Sequence, residues 1–354
     1  MKNNNGLNKG EWSELYAFLH LLKEPNLIII DENLNIIDNK IFKIVDILLS
    51  DKKYHIDSQE IQKIANDDHL IKKYSVEHIS ENAKLLLEKI VNHTKSKGSF
   101  KIDEITPLIM DLLDGKKPKG HSFVKGDLNA NVFDSKVSAI KNISYNIKSN
   151  LGSKATLLNA SNNTNFIYQV DNIDDKIMEK NNSILTKTKL LDRCDFLNKS
   201  GAKINFSNTE SVAFGYNLSL VDSNLHKILA DMLFLSYTKN EKDIKKLLSI
   251  VSKNADDNLF YKKKMSDFAN AVTFGMRAGK KWNGINEVNG GIILVTEKGE
   301  IYLLDLIYFK EIVDKYLIDN IKFDSPSSSR YKMFEIYKQD GKYFFKLNLQ
   351  VRFK

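Results

Sequence analysis

The first apolar pattern in the chain has the spacing of an amphipathic helix. Its face comprises Trp12, Leu15, Phe18, Leu19 and Leu22. Because proline blocks helix continuation, we expect this helix to end near Glu24 and Pro25. Glu11 and Glu14 lie three residues apart at its N-terminal end and border the apolar face. Carboxylates at this end also stabilise the helix dipole, so capping is one interpretation of both glutamates.

Four more apolar stripes follow between about Asn39 and Leu113. They comprise Ile41, Ile44, Val45, Leu48 and Leu49; Ile61, Ile64 and Leu70; Leu85, Leu86, Ile90 and Val91; and Ile105, Leu108, Ile109, Leu112 and Leu113. This spacing predicts a mostly helical region inserted near the N-terminus. The region contains four histidines, of which no two are four residues apart, so we interpret them as surface or core residues rather than zinc ligands.

The segment GKKPKGHS, from Gly115 to Ser122, marks the predicted domain boundary because it combines glycine, proline and a basic run. We therefore expect an N-terminal region, 1–118, followed by a second domain, 119–354. Near its end, ILVTEKGEIYLL predicts a β-hairpin that turns at Lys298 and Gly299.

Two strand-like segments after this boundary carry the candidate chemistry. Asp127 opens DLNANVFD, and Asn146 and Lys148 lie in ISYNIKS. Because strand side chains alternate, Asn146 and Lys148 share one side while Tyr145 and Ile147 point to the other. An acid on one strand and a polar-x-Lys triplet on the next form the frame of the PD-(D/E)XK nuclease site, where the acid and the polar residue bind a divalent metal and the lysine positions water. Two amphipathic strands with solvated charges would show the same pattern.

Several polar segments are candidates for DNA contact. Lys154 to Asn165 is rich in Ser, Thr and Asn, and is either a plain loop or a source of donors and acceptors for phosphates and base edges. The C-terminal KLNLQVRF alternates, with Lys346, Asn348, Gln350 and Arg352 on a polar face that could touch DNA or be the wet side of an edge strand. The candidate DNA-binding residues are Ser149, Asn159, Ser161, Asn162, Asn165, Arg277, Ser329, Arg330, Gln350 and Arg352.

Composition and charge narrow the class of protein. The 354 residues carry a net charge of +8, which favours an anionic partner such as nucleic acid. Lysine accounts for 49 of the 53 basic residues, a pattern typical of AT-rich coding bias. An arginine in such a chain is a candidate for a role that needs the planar, bidentate guanidinium group. The four arginines are Arg193, Arg277, Arg330 and Arg352. The single Cys194 excludes an internal disulfide and favours a reducing cytoplasm. We find no signal peptide and no apolar run of membrane-helix length, and expect no membrane partner.

Blocks spread along the chain carry a family resemblance. They are NKGEWSELYAFLHLL, YNIKSNLGSKATLLNASNNTNFIY, GMRAGKKWNG, NGGIILV, IKFDSPSSSRY and IYKQDGKYFFKLNLQVRF. In this order, from about Asn8 to Phe353, they resemble the HpaII-type restriction endonuclease family. The resemblance implies an α/β (α+β) PD-(D/E)XK fold, with a mixed sheet flanked by helices and an inserted N-terminal helical region. It also implies a type II restriction endonuclease that cleaves double-stranded DNA with Mg²⁺ at or near CCGG. On this resemblance, region 1–118 holds the first core helix and a helical DNA-contacting subdomain, and 119–354 is the catalytic and DNA-recognition nuclease domain.

The same resemblance assigns roles to residues. Asp127 matches the metal-binding acid and Lys148 the catalytic lysine, whereas Asn146 stands where the motif has Asp or Glu. A second carboxylate must come from elsewhere, and Glu11, ahead of Glu14, is our first choice, so the predicted metal ligands are Asp127, Glu11 and Asn146. A palindromic site suggests a homodimer, although a monomer could cut two strands in turn, and a cognate cytosine methyltransferase is the expected functional partner.

Two other functions are compatible with these observations. Because Asn146 replaces an acid, the chain could be a sequence-specific DNA-binding protein of the same fold that has lost catalysis. Apart from the resemblance, it could be a basic helical interaction protein without an active site. The last hypothesis requires Asp127, Lys148 and the helix glutamates to lie far apart.

Overall fold

The computed structural model describes residues 6–49, 51–93, 98–115, 126–152 and 154–354. The chain forms two compact units. Unit 1 comprises Met1–Ala155 and Glu287–Tyr316, and unit 2 comprises Thr156–Asn286 and Leu317–Lys354. The boundary predicted between 118 and 119 lies outside the described residues.

The helices of the described residues are α1 (Lys9–Lys23), α2 (Val76–Asn92), α3 (Thr106–Leu112), α4 (Asp175–Asn182), α5 (Lys189–Lys199), α6 (Val212–Val221), α7 (Leu225–Thr238), α8 (Ile244–Val251), α9 (Ala255–Phe274) and α10 (Lys310–Asn320). A short 3₁₀ turn covers Asn162–Thr164. Among these helices, none combines the length and the apolar character needed to cross a bilayer.

The strands are β1 (Ile29–Ile30), β2 (Ile36–Asp38), β3 (Phe42–Leu49), β4 (Lys52–Ile56), β5 (Glu60–Ala65), β6 (Leu70–Ser75), β7 (Leu128–Asp134), β8 (Ala139–Ser149), β9 (Thr156–Leu158), β10 (Asn165–Asp171), β11 (Lys203–Thr209), β12 (Gly291–Val295), β13 (Ile301–Asp305), β14 (Ile321–Phe323), β15 (Tyr337–Gln339), β16 (Lys342–Asn348) and β17 (Val351–Phe353).

Unit 1 is built on one ten-stranded mixed sheet. Its order is β2-β1-β13-β12-β8-β7-β3-β4-β5-β6, with β1–β13 and β8–β12 as the parallel pairs. Helix α1 packs against α2 and β8, and apolar side chains such as Phe18, Leu86 and Tyr145 share one core. The expected mixed sheet flanked by helices is confirmed. The predicted hairpin is also confirmed, because β12 and β13 are antiparallel and Gly299 adopts a φ of +83° at the turn.

The prediction of an inserted, mostly helical region is wrong for its first half. Residues 36–75 form strands β2 to β6, and only the last two apolar stripes lie in helices, α2 and α3. A β-bulge in β3 explains part of the error. The register with β7 shifts between Ile44 and Asp46, and the buried apolar residues of β3 are Phe42, Ile44 and Ile47. The bulge thus interrupts the alternation by which a strand is recognised.

Buried lysines conceal the strand alternation of β4 and β5. Lys52 and Lys63 are only 3% and 2% exposed and occupy inward positions of these strands. Both amines bind the carboxylate of Asp114, and Nζ of Lys63 also donates to the carbonyl of Asp111 at the end of α3 (2.7 Å). A pattern that counts lysine as an outward residue therefore misses the period of two.

Unit 2 contains two smaller antiparallel sheets. Their orders are β11-β10-β16-β15 and β14-β17-β9. Aromatic rings fill its centre, with Phe345 stacked between Tyr168 and Phe334 at centroid distances of 5.2 and 4.5 Å. The C-terminal segment, predicted as one strand, divides between the two sheets as β16 and β17, and Asn348 of its predicted polar face is fully buried. One continuous polar face is therefore not formed.

Candidate active site and DNA-binding residues

The pairing of β7 with β8 brings Asp127 and Lys148 together. Asp127 directly precedes β7, and Leu128 pairs with Tyr145 in β8. The Oδ2 atom of Asp127 accepts a hydrogen bond from the backbone N–H of Ile147 (2.8 Å) and lies 3.6 Å from Nζ of Lys148. The acid and the lysine are thus adjacent, which contradicts the hypothesis of a protein whose site residues are dispersed.

The side chains of β8 alternate as predicted. Tyr145 and Ile147 are 0% and 4% exposed in the core, whereas Asn146 and Lys148 are half-buried on the other face. Strand β8 is bonded to β7 on one side and to β12 on the other, where Asn146 lies opposite Ile292. Because an interior strand is held along both edges, it supports the amide and the amine in fixed positions.

Glu11 takes part in a capping box at the start of α1. The backbone N–H of Asn8 donates to Oε2 of Glu11 (2.7 Å), and the N–H of Glu11 donates to Oδ1 of Asn8 (3.0 Å). This reciprocal pair satisfies two backbone donors that a helix start leaves without partners. The Glu11 carboxylate therefore serves the helix terminus, as the capping interpretation proposed.

Glu14 is the helix glutamate whose pKa depends on the charges of Asp127 and Lys148. The pKa of Glu14 is raised from 4.5 to about 7, mainly by burial and also by the carboxylate of Asp127, while the ammonium group of Lys148 acts to lower it. Such charge interactions weaken with distance, so they indicate that the Glu14 carboxyl group lies in the neighbourhood of both residues. The structure thus associates Glu14, our second choice, with Asp127 and Lys148.

The donors around Lys148 fit a magnesium ion without forming an acidic triad. Within the part of the chain that the structure describes, no three His, Cys, Asp or Glu side chains form a group that could hold a metal. The available oxygen donors are the carboxylates of Asp127 and Glu14 and the side-chain amide of Asn146. Oxygen donors suit Mg²⁺, and the neutral amide is the weakest of the three.

Five of the candidate DNA-binding residues are exposed on unit 2. They are Asn159, Asn162, Arg277, Ser329 and Arg330. The guanidinium of Arg330 lies 5.5 Å from the ring centroid of Tyr331, and the Oγ atom of Ser329 accepts a hydrogen bond from Lys189 (2.9 Å). Arg330, Asn162 and Asn165 line one cleft of about 400 Å³. The structure thus brings together three of the residues predicted to contact DNA.

Asn165 and Arg352 are engaged by other side chains of unit 2. Asn165 is 2% exposed, and its Nδ2 atom donates to Oε2 of Glu210 while its Oδ1 atom accepts from Nδ2 of Asn348, both at 2.6 Å. Arg352 forms an ion pair with Asp324 (2.9 Å). These contacts fix both residues in the protein interior or at its margin.

Three further candidates make local contacts with the backbone. Ser161 precedes the 3₁₀ turn and caps it together with Thr164. The Oγ atom of Ser149 accepts a hydrogen bond from the N–H of Leu151 (3.1 Å). The backbone carbonyl of Gln350 accepts one from Asp324 (2.9 Å), so this contact does not use the Gln350 side chain. The structure therefore gives Ser161 and Ser149 a role in turn geometry.

The sequence interpretation did not identify Glu210 or the function of Arg193. Glu210 lies between β11 and α6 and lines the cleft, although no spacing in the sequence connects it to Asn165. Arg193 is 3% exposed, and its guanidinium donates to the carbonyls of Asn182 (3.0 Å) and Met333 (3.3 Å). The scarcity of arginine in this chain was the one signal that marked Arg193.

Comparison with known proteins shows the family to which the chain belongs. The sequence model of the HpaII restriction endonuclease family matches residues 8–353. The chain is 34% identical over 359 positions to the type II restriction enzyme HpaII of Haemophilus parainfluenzae, and the alignment covers 98% of each protein. No solved structure matches the chain. The chain therefore belongs to the HpaII restriction endonuclease family, and it is a type II site-specific deoxyribonuclease.

Proposed function

We propose that the protein cleaves double-stranded DNA in the presence of Mg²⁺, at or near CCGG, and leaves 5′-phosphate and 3′-hydroxyl ends. The observation that carries the proposal is the adjacency of Asp127 and Lys148, with 3.6 Å between carboxylate and amine on neighbouring strands. The similarity to the type II restriction enzyme HpaII supports site-specific cleavage of DNA. We further propose a PD-(D/E)XK core, a cytoplasmic location, action as a homodimer on a palindrome, and a cognate cytosine methyltransferase.

Asp127, Glu14 and Asn146 are the residues that would hold the magnesium ion. We place Glu14 ahead of Glu11, because the Glu11 carboxylate is bonded to the backbone of Asn8 while the Glu14 pKa responds to Asp127 and Lys148. The bound ion would supply Lewis-acid polarisation of the scissile phosphate and would lower the pKa of a water molecule. The hydrogen bond from Ile147 to Asp127 keeps one carboxylate oxygen in a fixed orientation.

Lys148 is the group that would act on the nucleophile. Its ammonium Nζ is half-buried on an interior strand, so it can donate a hydrogen bond to the attacking water and orient it toward the phosphorus atom. The same positive charge would stabilise the negative charge that develops on the phosphate oxygens as the new P–O bond forms. The attacking water releases a proton to solvent, and the leaving 3′-oxygen takes one from solvent as its bond to phosphorus breaks. Arg277 and Arg330 are proposed to read guanine.

The direct test is incubation of the purified protein with unmethylated plasmid and Mg²⁺, followed by sequencing of the ends. We expect cuts at one site, and a loss of about 100-fold or more in the rate for Lys148→Ala. Lys298→Ala is the matched control, because Lys298 is an exposed lysine at the β12–β13 turn. Equal rates for wild type and Lys148→Ala would refute the assigned site. Specific binding without cleavage under any divalent metal would instead indicate a catalytically inactive DNA-binding protein. The amide at Asn146, in place of the acid of the motif, is the observation that favours this alternative.

A further inference from the structure

A cleft of unit 2 combines charged, amide and aromatic groups. Its volume is about 400 Å³, and it is lined by Asn162, Asn165, Glu210, Arg330, Tyr331, Lys332, Glu335, Ile336, Tyr337 and Lys346. The lining contains three basic side chains, which suit a polyanion, but also two carboxylates, which repel one. A site for phosphate alone would have no use for these acids, so the cleft has the composition of a site that contacts bases as well.

The loop that forms one wall of the cleft has an unusual backbone. Lys332 and Phe334 adopt positive φ angles of 48° and 54°. Side chains with a Cβ atom rarely occupy this region, and a bulky residue there indicates local strain that the surroundings must stabilise. Phe334 is 0% exposed and stacks on Phe345 at 4.5 Å, which fixes the loop to the core of unit 2. We call residues 331–336 the clamped loop.

Polar side chains of α4 and α5 bind the backbone of the clamped loop. Asn181 donates to the carbonyl of Phe334 (2.9 Å), and Asn182 both donates to the carbonyl of Ile336 (2.8 Å) and accepts from its N–H (2.8 Å). Arg193 donates to the carbonyl of Met333 (3.3 Å) and to that of Asn182 (3.0 Å). A loop held by this many directed contacts has one conformation before any ligand arrives, which lowers the entropic cost of recognition.

Glu210 lines the same cleft and is held in place by two hydrogen bonds. One carboxylate oxygen accepts a hydrogen bond from Lys346, and the other accepts one from Nδ2 of Asn165 (2.6 Å). Asn165 is in turn bound to the fully buried Asn348 (2.6 Å). Although burial favours the neutral acid, the bonds from Lys346 and Asn165 lower the pKa of Glu210 below its ordinary value. About a third of the Glu210 side chain remains exposed, so an anionic acceptor faces the cleft.

We propose that this cleft is a base-specificity site, in which Glu210 accepts a hydrogen bond from the exocyclic amino group of a cytosine in the recognised DNA and the clamped loop presents Arg330 to the same segment. Carboxylates read the N4 amino group of cytosine, whereas thymine presents an acceptor at the equivalent position and is repelled. Arg193, Asn181 and Asn182 are positioning residues that act through the loop. The inference rests on the proposed cleavage of cytosine-containing DNA and names a determinant of its specificity.

The test measures which duplexes the protein selects, and does not depend on cleavage. Lys148→Ala protein, with and without Glu210→Gln, selects ligands from a pool of randomised duplexes, and affinities for the selected duplex and its single C:G to T:A replacements are then compared. Without the Glu210 change, we expect discrimination of about 5- to 150-fold at each contacted pair. Glu210→Gln should reduce this ratio to near one at a single pair and its symmetry mate, because the carboxamide can donate to thymine O4, while affinity for unrelated DNA is kept.

The control substitution is Glu179→Gln, since Glu179 is an exposed glutamate of α4 outside the cleft. It removes the same charge and should leave every ratio unchanged. A melting curve shows whether Glu210→Gln is folded. If it is not, the test uses Arg330→Ala, a change at an exposed residue. This variant must bind the selected duplex about 5- to 150-fold more weakly and must bind unrelated DNA as wild type does.

Unchanged discrimination at every pair with folded Glu210→Gln, or unchanged affinity with Arg330→Ala, would overturn the inference. Failure of the proposed function is seen separately, as the absence of plasmid cleavage by wild-type protein. Plasmid cleavage together with unaltered specificity of Glu210→Gln would leave the proposed function intact and reject only the role of the cleft.

Discussion

Replacing Glu14 with Gln should make the metal-free protein more stable at high pH. The pKa of Glu14 is raised from 4.5 to about 7 in the folded state, chiefly by burial. Between these values the folded protein holds a proton that the unfolded chain has released, so stability is lost as the pH rises from 4.5 through 7. The difference between the two pKa values corresponds to about 3 kcal/mol as an upper limit. Glutamine keeps the shape of the protonated acid and removes this loss.

The assay is urea unfolding of wild type and Glu14→Gln in the presence of a chelator, at several pH values. We expect similar stabilities near pH 4 and an advantage for the variant that grows with pH and levels off above about 7. Glu11→Gln is the matched control for the removal of one glutamate from α1, since glutamine also forms capping boxes. Added Mg²⁺ should stabilise wild type more than Glu14→Gln, because Glu14 is a proposed ligand. Parallel pH profiles for wild type and Glu14→Gln would refute the assignment of the raised pKa.

Two further predictions concern stability, and thermal or urea melting checks both. Gly291→Ala should lower the free energy of unfolding by about 3 kcal/mol or more, because its Cβ atom would lie 2.1 Å from the carbonyl oxygen of Leu304 and Gly291 has a φ of +114°. Gly201 has a φ of +75° but open space around it, so Gly201→Ala should lower the free energy of unfolding by about 1 kcal/mol. Asp114→Asn should lower the free energy of unfolding by about 2–4 kcal/mol, because the buried Lys52 and Lys63 lose the anion that they share. Asp267→Asn, which removes an exposed i,i+4 ion pair, should lower it by less than about 1 kcal/mol. Equal costs within either pair of variants would contradict these explanations.

The sequence predicted those elements whose period was uninterrupted. Helix α1 follows a regular apolar face, and β8 alternates cleanly around Asn146 and Lys148, so both were located correctly. Strands β3 to β5 were not, because a bulge changes the spacing at Ile44 and because Lys63 occupies a buried position. A prediction from periodicity assumes that alternate residues of a strand point inward and that the inward residues are apolar. Neither assumption holds in this part of the sheet.

Only the part of the candidate site that lies on one β-hairpin could be predicted from the sequence. Asp127 and Lys148 come from adjacent strands of one hairpin, and their distance follows from strand pairing. The choice between Glu11 and Glu14 depends on how α1 lies against β8, which spacing along the helix does not determine. The role of Asn165 was likewise hidden, since its partners Glu210 and Asn348 are far away in sequence. Long-range packing, rather than local pattern, decides which polar side chain faces a ligand.

In the proposed magnesium site, Glu14 would compensate for the amide at Asn146. The nuclease motif has an acid at the position of Asn146, and Glu14 on α1 would supply the carboxylate that this strand lacks. If the total number of carboxylates governs magnesium binding, Asn146→Asp should restore activity to a protein inactivated by Glu14→Gln. Glu14→Gln alone should lower plasmid cleavage by about 100-fold or more, and the double variant should recover at least about tenfold.

The single variant Asn146→Asp provides the necessary comparison. It brings a third carboxylate to Asp127 and Glu14, and we expect it to raise the Glu14 pKa further in the absence of metal and to shift the cleavage optimum to higher pH. The Mg²⁺ concentration that gives half-maximal cleavage should be highest for Glu14→Gln and intermediate for the double variant. A double variant no more active than Glu14→Gln would show that the position of the carboxylate, and not its charge, is what the site requires.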